Sequence, residues 1–105
     1  MLKNYVNEGF EFEKKMSFAL HTAHTPVLLS SLLLRQINLG QVDICVMKSN
    51  LTSRFLVLYE CKTQSSPSIN QKMRLQKTAE YLSTVLGMSA KIEVIFAKKA
   101  KLNYP

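Results

Sequence analysis

A strand, a capped helix and a second strand follow one another in the C-terminal half of the chain, and this succession constrains the fold most. The apolar run from Arg54 to Lys62 is typical of a buried strand. Ser68, with Gln71 three residues later, is a capping-box pattern, and the helix that it predicts stops at Gly87. Ile92 to Ala97 predicts a closing strand. Because a strand-helix-strand unit makes a right-handed crossover between parallel strands, we expect the last strand to run parallel to the strand before the helix.

The N-terminal half supplies a helix and two more apolar segments. Helical spacing of apolar residues predicts a first helix from Tyr5 to about Leu20. We interpret Val27 to Leu39 and Val42 to Met47 as strands, although a Leu-rich run such as the first also suits a helix. With the strand over 54–62 they form an antiparallel meander. The sequence therefore predicts an α/β fold of order α-β-β-β-α-β, with helices on a mixed sheet.

Length and charge limit the classes of protein that this chain can belong to. Its 105 residues, 47% of them hydrophobic, suit one domain over 1–105 and exclude a solenoid or a two-domain enzyme. Lys and Arg number 14 against 7 Asp and Glu, which gives a net charge of +7. Such an excess favours an anionic partner, nucleic acid first and an acidic membrane surface second.

Cysteine usage and hydropathy indicate the compartment. Cys45 and Cys61 lack a second cysteine or a histidine at ligand-like spacing, which argues against a cysteine-based metal site. Acidic residues occupy the N-terminal segment where the apolar core of a secretory signal would lie. The longest apolar stretch, Val27 to Leu34, is far shorter than the roughly 18 residues that span a bilayer. We therefore expect a cytoplasmic protein with reduced thiols and no membrane partner.

Three ionisable residues, Asp43, Glu60 and Lys62, are expected to meet at one end of the sheet. Strand alternation puts Glu60 and Lys62 on one face. An antiparallel pair that turns near 48–53 brings Asp43 close to one of them. Two adjacent carboxylates repel unless a cation lies between them, and Mg²⁺ is typically held by one or two carboxylates with phosphate and water. With Lys62 orienting a water beside the ion, this set favours metal-assisted phosphodiester hydrolysis.

A simpler interpretation of these residues stays open. Asp43 can cap a turn, while Glu60 and Lys62 can form an exposed pair on a solvated sheet face. Against this, Leu56 and Leu58 share the face of the pair. Charged residues that follow apolar residues on one strand face are unusual for an ordinary solvent-exposed surface.

Glu13 offers a further carboxylate. It falls between Phe10 and Met16 in the apolar stripe of the first helix, where a carboxylate is costly unless it is paired or binds a metal. It therefore faces the same cation as Asp43 and Glu60, or pairs with a structural Arg or Lys, or lies at the rim because the helix is rotated.

Two further groups of polar residues are candidates for contact with a phosphate backbone. The helix after the third strand carries Gln71, Lys72, Arg74, Gln76 and Lys77 away from its apolar stripe. The C-terminal tail carries Lys98, Lys99 and Lys101. An ordinary solvated helix face, or a solubilising tail, is the alternative for each.

Two stretches of the chain resemble the PD-(D/E)XK nuclease superfamily, above all its small YraN-like predicted endonucleases and the archaeal Holliday junction resolvases. One is Gly40-Gln41-Val42-Asp43-Ile44, which matches a Gly-x-x-Asp-Ile strand start, and the other is the apolar strand ending in Glu60-Cys61-Lys62. Gly9 and Glu13 match a Gly-x-x-x-Glu pattern in the first helix. Gln41 and Gln71 depart from the YraN-like proteins, which usually have Glu and often have Lys there.

The resemblance implies a restriction-endonuclease-like fold and cleavage of DNA, including branched or junction DNA, that depends on Mg²⁺ or Mn²⁺. It implies that Asp43 and Glu60 hold the metal with the Cys61 backbone carbonyl, that Lys62 assists the attacking water, and that Glu13 is an outer or second-metal carboxylate. It also implies a homodimer, since cutting both strands needs two sites. The alternative function is a nuclease-like fold without catalysis that binds nucleic acid or a protein partner.

Overall fold

The computed structural model describes residues 2–62 and 67–97, with side chains from residue 9 onward, and these residues form three helices and four strands. In chain order the elements are α1 (Leu2–Ala23), β1 (Thr25–Pro26), α2 (Ser31–Gln36), β2 (Ile44–Ser49), β3 (Arg54–Lys62), α3 (Ile69–Leu86) and β4 (Ala90–Phe96). The tail lysines of the predicted basic surface, Lys98, Lys99 and Lys101, lie outside the described residues.

The four strands form one mixed sheet in the order β1-β2-β3-β4. β1 pairs antiparallel with β2, and β2 antiparallel with β3, with Ile44 opposite Tyr59. β4 runs parallel to β3, with Leu58 opposite Ile92. The α/β class, the antiparallel pairing of the strands over 42–47 and 54–62, and the parallel last strand are therefore confirmed.

The predicted strand over Val27 to Leu39 is wrong. Thr25–Pro26 pairs with β2, and the chain then turns into the short helix α2. Ser30 is the N-cap of that helix, since its Oγ accepts the backbone N–H of Leu33 at 3.1 Å. A side-chain cap of this kind initiates a helix in a Leu-rich segment that fits either structure. The observed element order is α-β-α-β-β-α-β.

Both ends of α3 follow from local side-chain and backbone chemistry. Ser68 Oγ accepts the N–H of Gln71 at 3.2 Å, and Gln71 Oε1 accepts the N–H of Ser68 at 3.1 Å, which completes the capping box. The helix stops at Gly87, whose φ of 67° lies in the left-handed region that glycine adopts without strain. The predicted cap and stop are confirmed.

The sheet separates two apolar cores. On the α3 face the buried cluster consists of Cys45, Leu56, Leu58, Ala79 and Leu82. On the opposite face, Met16 and Leu20 of α1 pack on Ile44, Val46, Val57 and Tyr59. Because side chains alternate along a strand, Asp43, Glu60 and Lys62 continue the α3 face beyond the apolar rows.

Candidate active site at the end of the central strands

Asp43 and Glu60 lie side by side where β2 begins and β3 ends. The pairing of Ile44 with Tyr59 brings the preceding residue, Asp43, to the last residues of β3. Asp43 Oδ2 accepts the backbone N–H of Cys61 at 2.8 Å, and the carboxyl groups of Asp43 and Glu60 line the same cleft. Glu60 is only 9% exposed, and the residues before it on β3, Leu58 and Tyr59, are also buried. The hairpin therefore creates the carboxylate pair that strand alternation predicts.

The environment of Glu60 disfavours its charged form. Burial is the largest cause that raises the pKa of Glu60, and the charge of Asp43 is the second. Lys62, whose Nζ lies 3.2 Å from Glu60 Oε2, acts in the opposite direction without cancelling these effects. Glu60 is buried, Asp43 is half-buried, and Lys62 is the ammonium partner of Glu60. Additional positive charge at this pair of carboxylates would therefore be stabilising.

Lys62 connects this pair to the first turn of α3. Its Nζ lies 3.4 Å from Gln71 Oε1, the same oxygen that caps the helix by accepting the N–H of Ser68. The ammonium is thereby held between the carboxylate of Glu60 and an amide oxygen. Gln71, expected to contact phosphate, also has a structural role, because it positions both the helix terminus and Lys62.

Glu13 is exposed, so of the three alternatives for this residue the structure favours the rim of the site. Met16 and Leu20, about one and two turns farther along the same face of α1, pack on the sheet, whereas Glu13 lies outside that packing. Partial burial, followed by the charge of Asp43, raises the pKa of Glu13, which places it near the pair. Among the described side chains, no three His, Cys, Asp or Glu residues are grouped closely enough to hold a metal ion.

The donors that remain fit a hard divalent cation. Asp43 and Glu60 present carboxylate oxygens at an open cleft, and Mg²⁺ is commonly bound by one or two carboxylates with water and phosphate as the other ligands. The thiols do not fit, because burial raises the pKa of Cys45 to about 11 and, with help from the nearby carboxylates, that of Cys61 to about 12. At neutral pH both cysteines are protonated and are poor metal ligands.

The cleft above the carboxylate pair has a volume of about 490 Å³. One wall comes from the end of α2, with Arg35, and from the segment between α2 and β2, with Gln41. The other wall comes from the first half of α3, which includes Gln71 and Arg74. Sequence analysis did not single out Arg35. The signal that could have identified Arg35 is its position as an isolated basic residue in an apolar stretch. The incorrect assignment of that stretch as a strand hid this signal.

Close packing of Gly40 on α3 holds this cleft together. The Oγ1 of Thr78, which is fully buried, lies 2.8 Å from the carbonyl oxygen of Gly40 and 3.0 Å from that of Arg74. A Cβ at position 40 would lie only 2.8 Å from the Cβ of Arg74. The glycine of the Gly-x-x-Asp pattern therefore allows the chain to approach α3 closely just before Asp43.

The predicted phosphate-contacting residues of α3 separate into two groups. Gln71 and Arg74 line the cleft. Lys72, Gln76 and Lys77 are exposed and are not part of its lining, and Gln76 Nε2 lies 3.4 Å from Glu80 Oε2. The second group has the surroundings of an ordinary solvated helix face.

In the part of the chain that the structure describes, no helix has both the length and the apolar character that crossing a membrane requires.

Comparison with protein-family models, with curated proteins and with solved structures finds no significant match to this chain.

Proposed function

We propose that this protein is a metal-dependent endonuclease of the PD-(D/E)XK type that hydrolyses DNA phosphodiester bonds. The single observation that supports it best is the meeting of Asp43 and Glu60 in an open cleft, with Lys62 attached to Glu60. A buried carboxylate next to a half-buried one reduces stability, and a catalytic cation gives a reason for that arrangement.

In this mechanism Asp43 and Glu60 would hold the cation, and the backbone carbonyl of Cys61 would be a further ligand. A bound Mg²⁺ or Mn²⁺ supplies Lewis acidity toward a phosphoryl oxygen and lowers the pKa of a bound water. The hydrogen bond from the Cys61 N–H keeps Asp43 in a fixed position, so this half of the site is organised before substrate arrives.

Lys62 orients the attacking water and stabilises the charge that develops on the phosphate. Its ammonium has two anchors, Glu60 Oε2 at 3.2 Å and Gln71 Oε1 at 3.4 Å, and keeps a third N–H for a water or a phosphate oxygen. Glu13, at the rim near Asp43, acts as an outer carboxylate.

The substrate class follows from charge and from the family resemblance. A net charge of +7 favours a polyanion. Lys72 and Lys77 on α3 contribute to the electrostatic attraction, so binding weakens as salt rises. Branched or junction DNA is the preferred form, and a homodimer supplies the two sites that cutting both strands requires.

The experiment compares cleavage of plasmid, flap and four-way-junction DNA with Mg²⁺ by the wild type and by D43N, E60Q and K62A. D43N and E60Q should each reduce the rate roughly a hundredfold or more, because they weaken the site for the cation. K62A should reduce the rate by a similar factor, because it removes the ammonium that stabilises the charge developing on the phosphate. The matched controls are E93Q and K91A, since Lys91 and Glu93 form the same kind of ion pair, at 3.3 Å, on the exposed part of β4. Both controls should cleave like the wild type.

One observation favours the alternative of a fold that binds nucleic acid without cleaving it: Glu13 does not join the carboxylate pair as a third ligand. Junction binding by the wild type with no cleavage in Mg²⁺ or Mn²⁺ would support this alternative. Cleavage that is equal in the wild type, D43N and K62A would overturn the assignment of the site.

A further inference from the structure

Two arginines from separate helices line the walls of the cleft whose floor carries the carboxylate pair. Arg35 lies in the last turn of α2 and Arg74 in the first half of α3, and both are exposed. Neither forms an ion pair with a carboxylate of residues 9–62 or 67–97. The cleft therefore holds two guanidinium charges that its own acids do not neutralise.

The carboxylates below them already have other partners. Asp43 accepts the N–H of Cys61 at 2.8 Å, and Glu60 pairs with Lys62 at 3.2 Å. Neither carboxylate forms an ion pair with Arg35 or Arg74 in the described residues. A guanidinium presents a planar set of donors that matches a phosphate group and binds it with two hydrogen bonds.

We propose that Arg35 and Arg74 together bind the phosphate next to the scissile one on the same substrate strand. The proposal rests on the proposed function for the identity of that strand, since the floor of the cleft is then the place of the scissile phosphate. The cleft volume of about 490 Å³ falls within the range of sites that enclose a ligand larger than a single phosphate.

The packing between the two walls explains why the pair is organised for this task. Thr78 Oγ1 binds the carbonyl oxygen of Gly40 at 2.8 Å, and Gly40 lies against Arg74 without space for a Cβ. The segment that leads from Arg35 to Asp43 is thereby fixed on α3. Guanidinium groups on two fixed elements bind a phosphate at a smaller entropic cost than groups on mobile loops.

The test measures binding without cleavage. Fluorescence anisotropy with a short single-stranded oligonucleotide, in EDTA and in the D43N background, compares R35A, R74A and R35A/R74A with R54A. Arg54 is the matched control, because it is exposed at the start of β3, opposite Ser49 and away from the cleft. The R74A variant keeps the Cβ that contacts Gly40, and thermal melting verifies that each variant is folded.

Each cleft substitution should weaken binding about tenfold and reduce the salt slope by about one, whereas R54A should stay within about threefold of its parent. R35K and R74K should recover only part of the affinity, because lysine cannot form the two-pronged contact. Cleft variants that bind no more weakly than R54A would overturn the proposal.

A second measurement locates the phosphate. Oligonucleotides with one neutral methylphosphonate are scanned along the strand, and one position should weaken binding to the parent protein but not to R35A/R74A. If every position weakens binding to both proteins equally, the proposed phosphate site of Arg35 and Arg74 is wrong. Arginine-dependent binding with no cleavage by the wild type would support this phosphate site and exclude the proposed hydrolytic function. Cleavage that needs Asp43 but not these arginines would support the hydrolytic function and exclude the phosphate site.

Discussion

The backbone N–H of Cys61 donates a 2.8 Å hydrogen bond to Oδ2 of Asp43, which joins the start of β2 to the end of β3 through a side chain. The bond uses an oxygen that asparagine also has. D43N therefore removes the charge of residue 43 while keeping an acceptor for Cys61. This separates the electrostatic role of the residue from its role in folding.

Replacing Glu60 by Gln should stabilise the metal-free protein at neutral pH. Burial and the nearby Asp43 raise the pKa of Glu60 above its ordinary 4.5, so folding disfavours its ionised form. For a group with a raised pKa, the stabilisation is fully present below the unfolded pKa and is lost as pH rises through the folded pKa. Urea unfolding in EDTA should show an E60Q advantage that grows from acid to neutral pH.

The control for this prediction is E93Q, which changes a glutamate on β4 whose side chain is 43% exposed, against 12% for Glu60. Its free energy of unfolding should differ from that of the wild type by little at every pH. An E60Q difference that stays constant with pH, or that shrinks as pH rises, would contradict the account of the carboxylate pair.

Replacing Thr78 by Val should lower the free energy of unfolding by about 1 kcal/mol, because it removes the hydrogen bond between the fully buried Thr78 hydroxyl and the carbonyl oxygen of Gly40. Thr84 is the control on the same helix, since its Oγ1 bonds to the carbonyl oxygen of Glu80 at an exposed position. T84V should stay within about 0.5 kcal/mol of the wild type. Equal losses in the two variants, measured by chemical denaturation, would mean that the Gly40 contact is not stabilising.

Replacing Gly40 by Ala should reduce cleavage activity as well as stability. The new Cβ would meet the Cβ of Arg74 at 2.8 Å and the backbone carbon of that residue at 3.1 Å, so the segment before Asp43 must shift. G87A separates the two effects, because a Cβ there meets nothing within 4 Å but the φ of 67° is strained. It should cost about 1 kcal/mol of stability and leave the rate unchanged. A G40A variant that cleaves DNA at the wild-type rate would contradict the proposed role of the contact.

The parts of the fold that could be predicted are those that depend on neighbours in sequence. The bounds of β3 follow from its apolar run between Arg54 and Lys62, and those of α3 follow from Ser68 and Gly87. The approach of Asp43 to Glu60 also follows, because a hairpin and a period of two residues determine which positions meet.

The parts that could not be predicted depend on contacts between distant residues. The segment 27–39 has a composition that suits a strand or a helix, and the cap formed by Ser30 decides between them. The exposure of Glu13 depends on where along α1 the packing on the sheet ends, since that packing includes Met16 and Leu20 but not Glu13. Arg35 lines the cleft and Gly40 docks on Thr78, and no local pattern indicates either contact.

Calorimetric titration of Mg²⁺ and Mn²⁺ into the wild type, D43N, E60Q and E93Q tests most directly whether Asp43 and Glu60 hold a divalent cation. The account predicts one site per chain in the wild type and in E93Q, with affinity at least about tenfold lower in D43N and in E60Q. Equal binding by D43N and the wild type, or no binding by the wild type, would contradict it.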